Sequence, residues 1–290
     1  MAASELEPVQ FEAPGDGPVL HGESQGAGRD VFLCHGLSAT RRYVVHGSKV
    51  LPRKGYRLQT YDARGHGDSD PADEYTYQLL ADDLETVVTD RGTTDPLIIG
   101  GHSMGCHTAV TFALRHPERV AAMILAGPVY TGESDDLDLG RWDERADALE
   151  REGAEGFARV VGEHVDAPDD VRETIVRLAK GRAELHRHPE AVADALRQIP
   201  RSRPFESIDE LAALTMPVLV VGSHDEMDDG HPYAVAERYA ETLPGATMIS
   251  EEKGESPLSW QGGRLSREID SFLDSHGLGG DPGGSAAAAG

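Results

Sequence analysis

One stretch of the chain, from Pro96 to Val110, constrains the fold more than any other. It predicts a short apolar strand over 97–99, a glycine-rich turn and then a helix. The turn reads Gly-His-Ser-Met-Gly, so a glycine stands two residues before and two residues after Ser103. A serine that projects from a sharp strand-to-helix turn needs neighbours without side-chain bulk. The pattern therefore predicts a hydroxyl held at the end of a strand, beside the free N–H groups and positive dipole end of a new helix.

Ser103 has two competing interpretations. Either it is a nucleophile, or its hydroxyl only caps the helix that begins after it. The strand before the serine and the helix after it are the context in which a nucleophilic serine is presented. This context favours the nucleophile.

Strands and helices alternate along most of the remaining sequence. Residues 9–25 alternate loosely around Gly15-Asp16-Gly17, which predicts an antiparallel pair of edge strands. Apolar runs predict further strands at 31–33, 57–61, 97–99, 120–125, 218–221 and 247–250. The alternation predicts an α/β fold, in which helices cover both faces of a mostly parallel central sheet of about eight strands.

The alternation of strands and helices is interrupted between residues 131 and 205. Residues 1–130 and 206–275 are predicted to form one α/β core, and residues 131–205 a helical insertion of about four helices. An insertion at this place is well sited to cover the strand ends where ligands bind, although a purely structural layer is an equal alternative. Residues 276–290 are low in complexity and are predicted to form a disordered tail.

Composition excludes several function classes. The chain has 51 acidic and 27 basic residues and a formal net charge of −24, which argues against nucleic acid or an anionic membrane as partner. The sequence shows neither a signal peptide nor a membrane-spanning apolar run, and Cys34 and Cys106 make no disulfide framework. We therefore expect a cytoplasmic protein with a small-molecule substrate, no cofactor and no metal. His186 and His188 lack a convincing ligand set and are assigned to a solvated helix face.

Four stretches together resemble the α/β-hydrolase fold superfamily. They are HGLS after the third strand, D-x-R-G-x-G-x-S after the fourth, GHSMG after the fifth and GSHD after the late strand at 218–221. The resemblance extends from about Val31 to Leu273 and implies a hydrolase fold with a helical cap.

The resemblance also implies roles for individual residues. Ser103 would be the nucleophile, and the N–H groups of Leu37 and Met104 would form the oxyanion hole. Asp225 would be the triad acid because it directly follows the late strand, with Asp228 and Asp229 as rival carboxylates.

Four further residues belong to the same motifs. His35 and His102 occupy positions that are commonly histidine in the family without being the base, and we expect them to line the substrate site. Asp62 and Arg64 are expected to stabilise loops.

The sequence departs from the family at the catalytic histidine. After the last strand the family carries a Gly-His motif, whereas this chain has Glu255 at the histidine position. A glutamate is a weak base for a serine hydroxyl unless burial, or repulsion from Asp225, raises its pKa. Glu255 is the first candidate for an atypical base, and His231, six residues beyond Asp225, is the second.

Two functions follow. The first is a serine hydrolase that acts on a small carboxylic ester or related acyl compound through an acyl-enzyme at Ser103. The second is a non-hydrolytic member of the same fold, either a ligand-binding pseudo-enzyme or a lyase-type relative. An imidazole beside Ser103 would favour the first, and an outward-facing Glu255 in a salt bridge would favour the second.

Overall fold

Short apolar runs of the sequence pair into one central sheet. The computed structural model describes residues 6–94, 96–132, 139–225, 228 and 230–281. The strands are β1 (Val9–Ala13), β2 (Leu20–Gly26), β3 (Arg29–Cys34), β4 (Tyr56–Tyr61), β5 (Leu97–His102), β6 (Val120–Ala126), β7 (Val218–Val221) and β8 (Ala246–Ile249). Their order in the sheet is β1-β2-β4-β3-β5-β6-β7-β8. β2 runs antiparallel to β1 and to β4, and every later pairing is parallel, which confirms the predicted fold class.

Helices connect the parallel strands. They are α1 (Val50–Arg53), α2 (Tyr77–Asp90), α3 (Met104–Arg115), α4 (Gly140–Glu163), α5 (Asp169–Ala183), α6 (Pro189–Gln198), α7 (Tyr233–Thr242) and α8 (Gly262–Ser275). The longest of them, α4, is divided by Gly153, whose φ of 67° is not helical. The Thr76 side chain caps α2 by accepting the N–H of Leu79.

The helices pack on both faces of the sheet. Apolar residues of α2, α3 and α7 share one buried cluster with the sheet, and those of α1 and α8 share a second cluster on the opposite face. The four apolar residues that the sequence places on one side of α8 are buried in the second cluster: Leu265, Ile269, Phe272 and Leu273. Two layers of helix therefore hold the sheet, and the carboxyl ends of its parallel strands are left for the site.

Helices α4, α5 and α6 form a separate layer, here called the cap. Its own core is small and alanine-rich, with Leu149, Phe157 and Leu196 as its largest buried members. Leu37 packs against this core, and Met104 packs with α6 residues in a neighbouring cluster. The cap therefore covers the two residues that the sequence assigns to the oxyanion hole.

The C-terminal segment is partly ordered against the body of the protein. Leu278 packs on the cluster beneath α8, and the N–H of Asp281 donates to the carbonyl of Gly55 over 2.9 Å. Residues 276–281 thus depart from the predicted disordered tail, because they gain apolar and backbone contacts there. The rest of that prediction, 282–290, lies outside the described residues. No helix in the described part of the chain is long and apolar enough to cross a membrane.

Candidate active site

Ser103 stands at the junction of β5 and α3 in a strained backbone conformation. Its φ is 52° and its ψ is −113°, a region that costs a non-glycine residue about 1–3 kcal/mol. The N–H of Ser103 donates to the carbonyl of Ala126 at the end of β6 over 2.9 Å, which fixes the turn to the neighbouring strand. The Ser103 hydroxyl makes no hydrogen bond to the described residues.

The glycines on either side of Ser103 are required by space. A Cβ atom at Gly101 would lie 2.2 Å from the carbonyl oxygen of Cys34, and one at Gly105 would lie 2.1 Å from the same oxygen. Strand β3 therefore approaches the turn so closely that only glycine fits on both sides. This is the steric reason that the sequence pattern anticipates.

Two backbone N–H groups near Ser103 are free. Met104 is the first residue of α3, so its N–H has no acceptor within the helix. Neither this N–H nor that of Leu37, in the turn after β3, donates to any of the described residues. The assignment of these two groups to an oxyanion hole stays a prediction; the side chains of both residues pack against the cap.

His35 is a structural residue of the turn after β3. Its Nδ1 lies 2.8 Å from the carbonyl oxygen of Gly36, and its Nε2 accepts the N–H of Ala63 over 2.9 Å. The imidazole is completely buried, and burial lowers its pKa. Both ring nitrogens of His35 are occupied, so the structure leaves it no contact for a substrate, in contrast to the predicted binding role.

Two further histidines brace the same turn. The N–H of Ser38 donates to Nε2 of His66 over 3.3 Å, and His186 of the cap lies 3.2 Å from the carbonyl oxygen of Ser38. Nδ1 of His186 also accepts the N–H of Gly67 over 2.9 Å. The assignment of His186 to a solvated helix face is therefore wrong, because this side chain is buried between cap and core. Sequence spacing gave no signal for it, since its partners lie more than a hundred positions away.

The loop after β4 is held by buried ion pairs. Asp62 is fully buried, pairs with the Arg41 guanidinium and accepts the N–H of Asp68 over 3.0 Å. Arg64 makes a two-pronged contact with Asp83, with both N–O distances at 2.8 Å. The predicted loop-stabilising roles of Asp62 and Arg64 are confirmed by these contacts.

His102 directly precedes Ser103, and its ring contacts the imidazole of His231. Its ring centroid is 4.9 Å from that of His231, which follows β7, and 5.8 Å from that of Trp260, which follows β8. A Cβ atom at Gly127 would lie 3.0 Å from Cδ2 of His231 and 3.5 Å from Nε2 of His102. Burial, aided by the His231 ring, lowers the pKa of His102 to about 3, so His102 is neutral. The contacts of His231 with His102 and with Gly127 at the end of β6 therefore place it beside the serine turn.

His231 is paired with a carboxylate. Its Nδ1 lies 2.8 Å from Oδ2 of Asp228. Burial alone would raise the pKa of Asp228, but attraction and hydrogen bonding from His231 bring that pKa below its usual value. When Nδ1–H of a neutral imidazole donates to a carboxylate, the lone pair remains on Nε2. The pair thus presents a nitrogen that can accept a proton.

Asp225, at the position predicted for the acid, lies in the loop after β7. An open cleft of about 400 Å³ lies beside the loop after β7. Its described lining is Ser223, His224, Asp225, Asp228, Pro232, Tyr233 and Lys253. Asp225 and Asp228 both line this cleft and Ser103 does not, so the cleft does not distinguish the two carboxylates. The carboxylate that lies against Nδ1 of His231 is that of Asp228. The third candidate, Asp229, lies outside the described residues.

Glu255 points outward. Its carboxylate is exposed and pairs with the Arg264 guanidinium over 2.7 Å. The hydrogen bond from Arg264 lowers the pKa of Glu255, which is the opposite of the rise that a base for serine requires. Among the described residues, no contact joins Glu255 to Ser103.

A buried glutamate that the sequence did not single out ties the two late loops together. Glu251 accepts the Ser223 hydroxyl over 2.8 Å, the N–H of His224 over 2.6 Å and the N–H of Leu258 over 2.9 Å. It therefore fixes the loop after β7 to the loop after β8. The described residues contain no group of three or more His, Cys, Asp and Glu that could hold a metal.

The sheet order and the strained serine turn find their counterpart in a known family. Residues 31–173 match the family model described as the alpha/beta hydrolase fold. This chain is a member of the α/β-hydrolase fold superfamily. Among curated members of the superfamily, it is 28% identical over 238 residues to a Rhizobium rhizogenes protein, RutD, that carries the name carbamate hydrolase. The alignment covers 81% of this chain and 88% of that protein.

Solved α/β-hydrolase structures share the fold at low sequence identity. An esterase from Thermogutta terrifontis, in its malate-bound form, is 24% identical with a TM-score of 0.74, covering 93% of this chain and 99% of the esterase. The enol-lactonase from Burkholderia xenovorans is 20% identical with a TM-score of 0.73, covering 91% of this chain and 100% of the lactonase. These likenesses show the fold of this α/β-hydrolase member and leave its chemistry to its own residues.

Proposed function

We propose that this α/β-hydrolase member is a serine hydrolase that cleaves a small carboxylic ester or related acyl compound through an acyl-enzyme at Ser103. The observation that carries the proposal is the strained Ser103 turn with the free N–H groups of Leu37 and Met104 beside it. A backbone that stores strain at one serine, next to two unused donors, is suited to acyl transfer and has little purely structural use.

In this proposal His231 is the general base. Asp228 accepts Nδ1–H of His231, so Nε2 takes the proton of the Ser103 hydroxyl as Oγ bonds to the acyl carbon. The oxyanion of the tetrahedral intermediate is stabilised by the N–H groups of Leu37 and Met104. The protonated His231 then donates to the leaving alcohol, the ester C–O bond breaks, and water activated by His231 releases the acid.

The substrate class follows from the relatives and from the cap. Curated relatives carry the names of a carbamate hydrolase and a diacylglycerol lipase, which act on acyl bonds, and also of a chloroperoxidase and an epoxide hydrolase. Leu37 packs against the core of the cap and Met104 packs with α6 residues, so an acyl group at Ser103 would have to fit beneath the cap, which favours a small substrate. We therefore assign ester, lactone or carbamate bonds of small molecules as the class to test.

The second function, a non-hydrolytic ligand-binding member, is favoured by one observation. Glu255, at the family's histidine position, is turned into an ion pair with Arg264, and the Ser103 hydroxyl has no hydrogen-bond partner among the described residues. On this alternative the same covered space binds a ligand without an acyl-enzyme.

Labelling with a fluorophosphonate probe, followed by mass spectrometry of the modified peptide, separates the two. The serine hydrolase labels at Ser103, Ser103→Ala does not label, and His231→Gln labels at least about 100-fold more slowly. The matched control is His116→Gln, because His116 caps the far end of α3, about 18 Å along the helix from Ser103. Absence of labelling and of ester hydrolysis in the wild-type protein would establish the non-hydrolytic alternative.

A further inference from the structure

Arg182, near the C-terminal end of α5 in the cap, is a partly buried cation without a carboxylate partner. Its Nε is fully buried and has no hydrogen-bond acceptor, and its guanidinium makes no ion pair with the described residues. Other arginines of the cap pair with carboxylates, for example Arg159 with Glu152 and Glu163, and Arg201 with Asp143. Arg177 and Arg187 of the cap also lack an ion pair with the described residues, but both are exposed to solvent. Arg182 is not exposed, and an unpaired cation held partly away from water needs a reason.

The guanidinium of Arg182 lies over the Trp260 ring, which is near the serine turn. Its central carbon is 5.5 Å from the centroid of the Trp260 ring, and that ring is 5.8 Å from the ring of His102, the neighbour of Ser103. Four residues after Arg182, His186 contacts Ser38 in the oxyanion turn. His186 lies beyond the end of α5 at Ala183, and the positive charge of Arg182 acts on its imidazole, so both side chains face the same part of the core.

The positive charge of Arg182 affects the pKa values of nearby histidines. After burial, which dominates, the positive charge helps to lower the pKa of His102, His186 and His46. Desolvation lowers the pKa of Arg182 itself, only partly offset by Tyr43 and Asp228. Asp228 is the nearest acid that attracts Arg182, but its carboxylate is already bound to His231.

An unpaired guanidinium in a covered site is costly unless a ligand supplies the missing charge. Removing a cation from water costs several kcal/mol that only an anion and its hydrogen bonds can recover. The planar guanidinium is matched to a carboxylate, which it binds through two parallel hydrogen bonds. Trp260 would hold the guanidinium plane in place by cation–π contact.

We propose that Arg182 binds a carboxylate of the substrate, so that the preferred substrates are acyl compounds that carry a negative charge on the acyl side. This inference rests on the proposed serine hydrolase function for its kinetic test, but it also has a binding test that is independent of hydrolysis. It assigns to the cap a specificity that the serine turn alone does not have.

The kinetic test compares two esters of equal chain length. p-Nitrophenyl hemisuccinate carries a terminal carboxylate, and p-nitrophenyl butyrate ends in a methyl group. We expect the wild-type protein to prefer the hemisuccinate, and Arg182→Gln to lower kcat/KM for it about 10- to 100-fold with little change for the butyrate. Arg182→Lys keeps the charge and is expected to retain part of the preference. The matched control is Arg177→Gln, an exposed arginine on the same helix, which should leave both rates unchanged.

The binding test uses glutarate, a dicarboxylate that cannot be hydrolysed, titrated calorimetrically into Ser103→Ala. Binding that is lost when Arg182→Gln is added supports the inference even if no ester is hydrolysed, in which case only the proposed function has failed. Equal loss of activity toward both esters would overturn it, as would glutarate binding that does not depend on Arg182 or no glutarate binding at all. Arg182→Met, which keeps the apolar stem on Trp260, serves if Arg182→Gln does not fold.

Discussion

His231 and Asp228 are joined by a hydrogen bond of 2.8 Å between Nδ1 and Oδ2, in the loop that follows β7. This pair lies near the nucleophile turn, because the ring of His231 is 4.9 Å from the ring of His102, at an interplanar angle of 44°. If the pair is the base, Asp228→Asn will lower kcat/KM about 10²- to 10⁴-fold, since an amide no longer fixes the tautomer that leaves Nε2 free. Steady-state hydrolysis of p-nitrophenyl butyrate measures the loss.

Asp225→Asn is the comparison variant. Asp225 holds the position of the family acid, whereas Nδ1 of His231 is hydrogen-bonded to Asp228. We expect its substitution to change kcat/KM by less than the Asp228 substitution does. The reverse order, with Asp225→Asn inactive and Asp228→Asn near wild type, would make Asp225 the acid and would contradict the Asp228–His231 pair.

A second prediction concerns Glu255. Arg264 holds this carboxylate outside the site and lowers its pKa, so it is ionised at neutral pH and faces solvent. Glu255→Gln is therefore expected to leave both the rate of fluorophosphonate labelling and the melting temperature close to wild type. A large fall in labelling for this variant, with an unchanged melting temperature, would instead make Glu255 the base.

The fold was accessible from sequence because its signals are local. Apolar runs and the sterics of the Ser103 turn involve residues close in the chain, and β7 spans the residues predicted for it, 218–221. The close approach of β3 to Gly101 and Gly105 is a long-range contact, but these two glycines of the serine motif already indicate it in the sequence. Segment boundaries shifted by one to three residues, and most at β5, which extends beyond the predicted 97–99 to His102.

The site was less accessible because its partners come from distant loops. The contact of His186 with Ser38, the ion pair of Glu255 with Arg264 and the isolation of Arg182 depend on how the cap and the late loops settle on the core. No periodicity encodes such contacts. The sequence does not indicate that His231 lies beside the serine turn while His35 and His66 are buried residues that brace a loop.

A third prediction is a pH-dependent contribution of Glu251 to stability. Burial would raise the pKa of this carboxylate, but the N–H groups of Leu258 and His224 and the Ser223 hydroxyl lower it below its usual value. A carboxylate with a lowered pKa in the folded state stabilises that state above its unfolded pKa of about 4.3, and the contribution is lost as the pH falls through the folded pKa.

Glu251→Gln should therefore lower the free energy of unfolding by about 1–3 kcal/mol at pH 7, because an amide cannot accept all three donors. The difference from wild type should shrink below pH 4. Urea unfolding at pH 7 and at lower pH measures both values. Glu252→Gln, an exposed neighbour, is the control, and a difference between wild type and Glu251→Gln that does not change with pH would contradict the assignment.

The last prediction compares two helical glycines, one where a side chain would clash and one where it would only improve helix propensity. A Cβ atom at Gly105 in α3 would lie 2.1 Å from the Cys34 carbonyl oxygen, whereas at Gly181 in α5 no atom lies within 4 Å. Alanine is the better helix former by about 1 kcal/mol, so Gly181→Ala should be slightly stabilising. Gly105→Ala should cost about 3 kcal/mol or more, because β3 must move away from the turn. At about 2–4 °C per kcal/mol, thermal unfolding resolves the opposite signs, and equal melting temperatures would mean that β3 does not press on the serine turn.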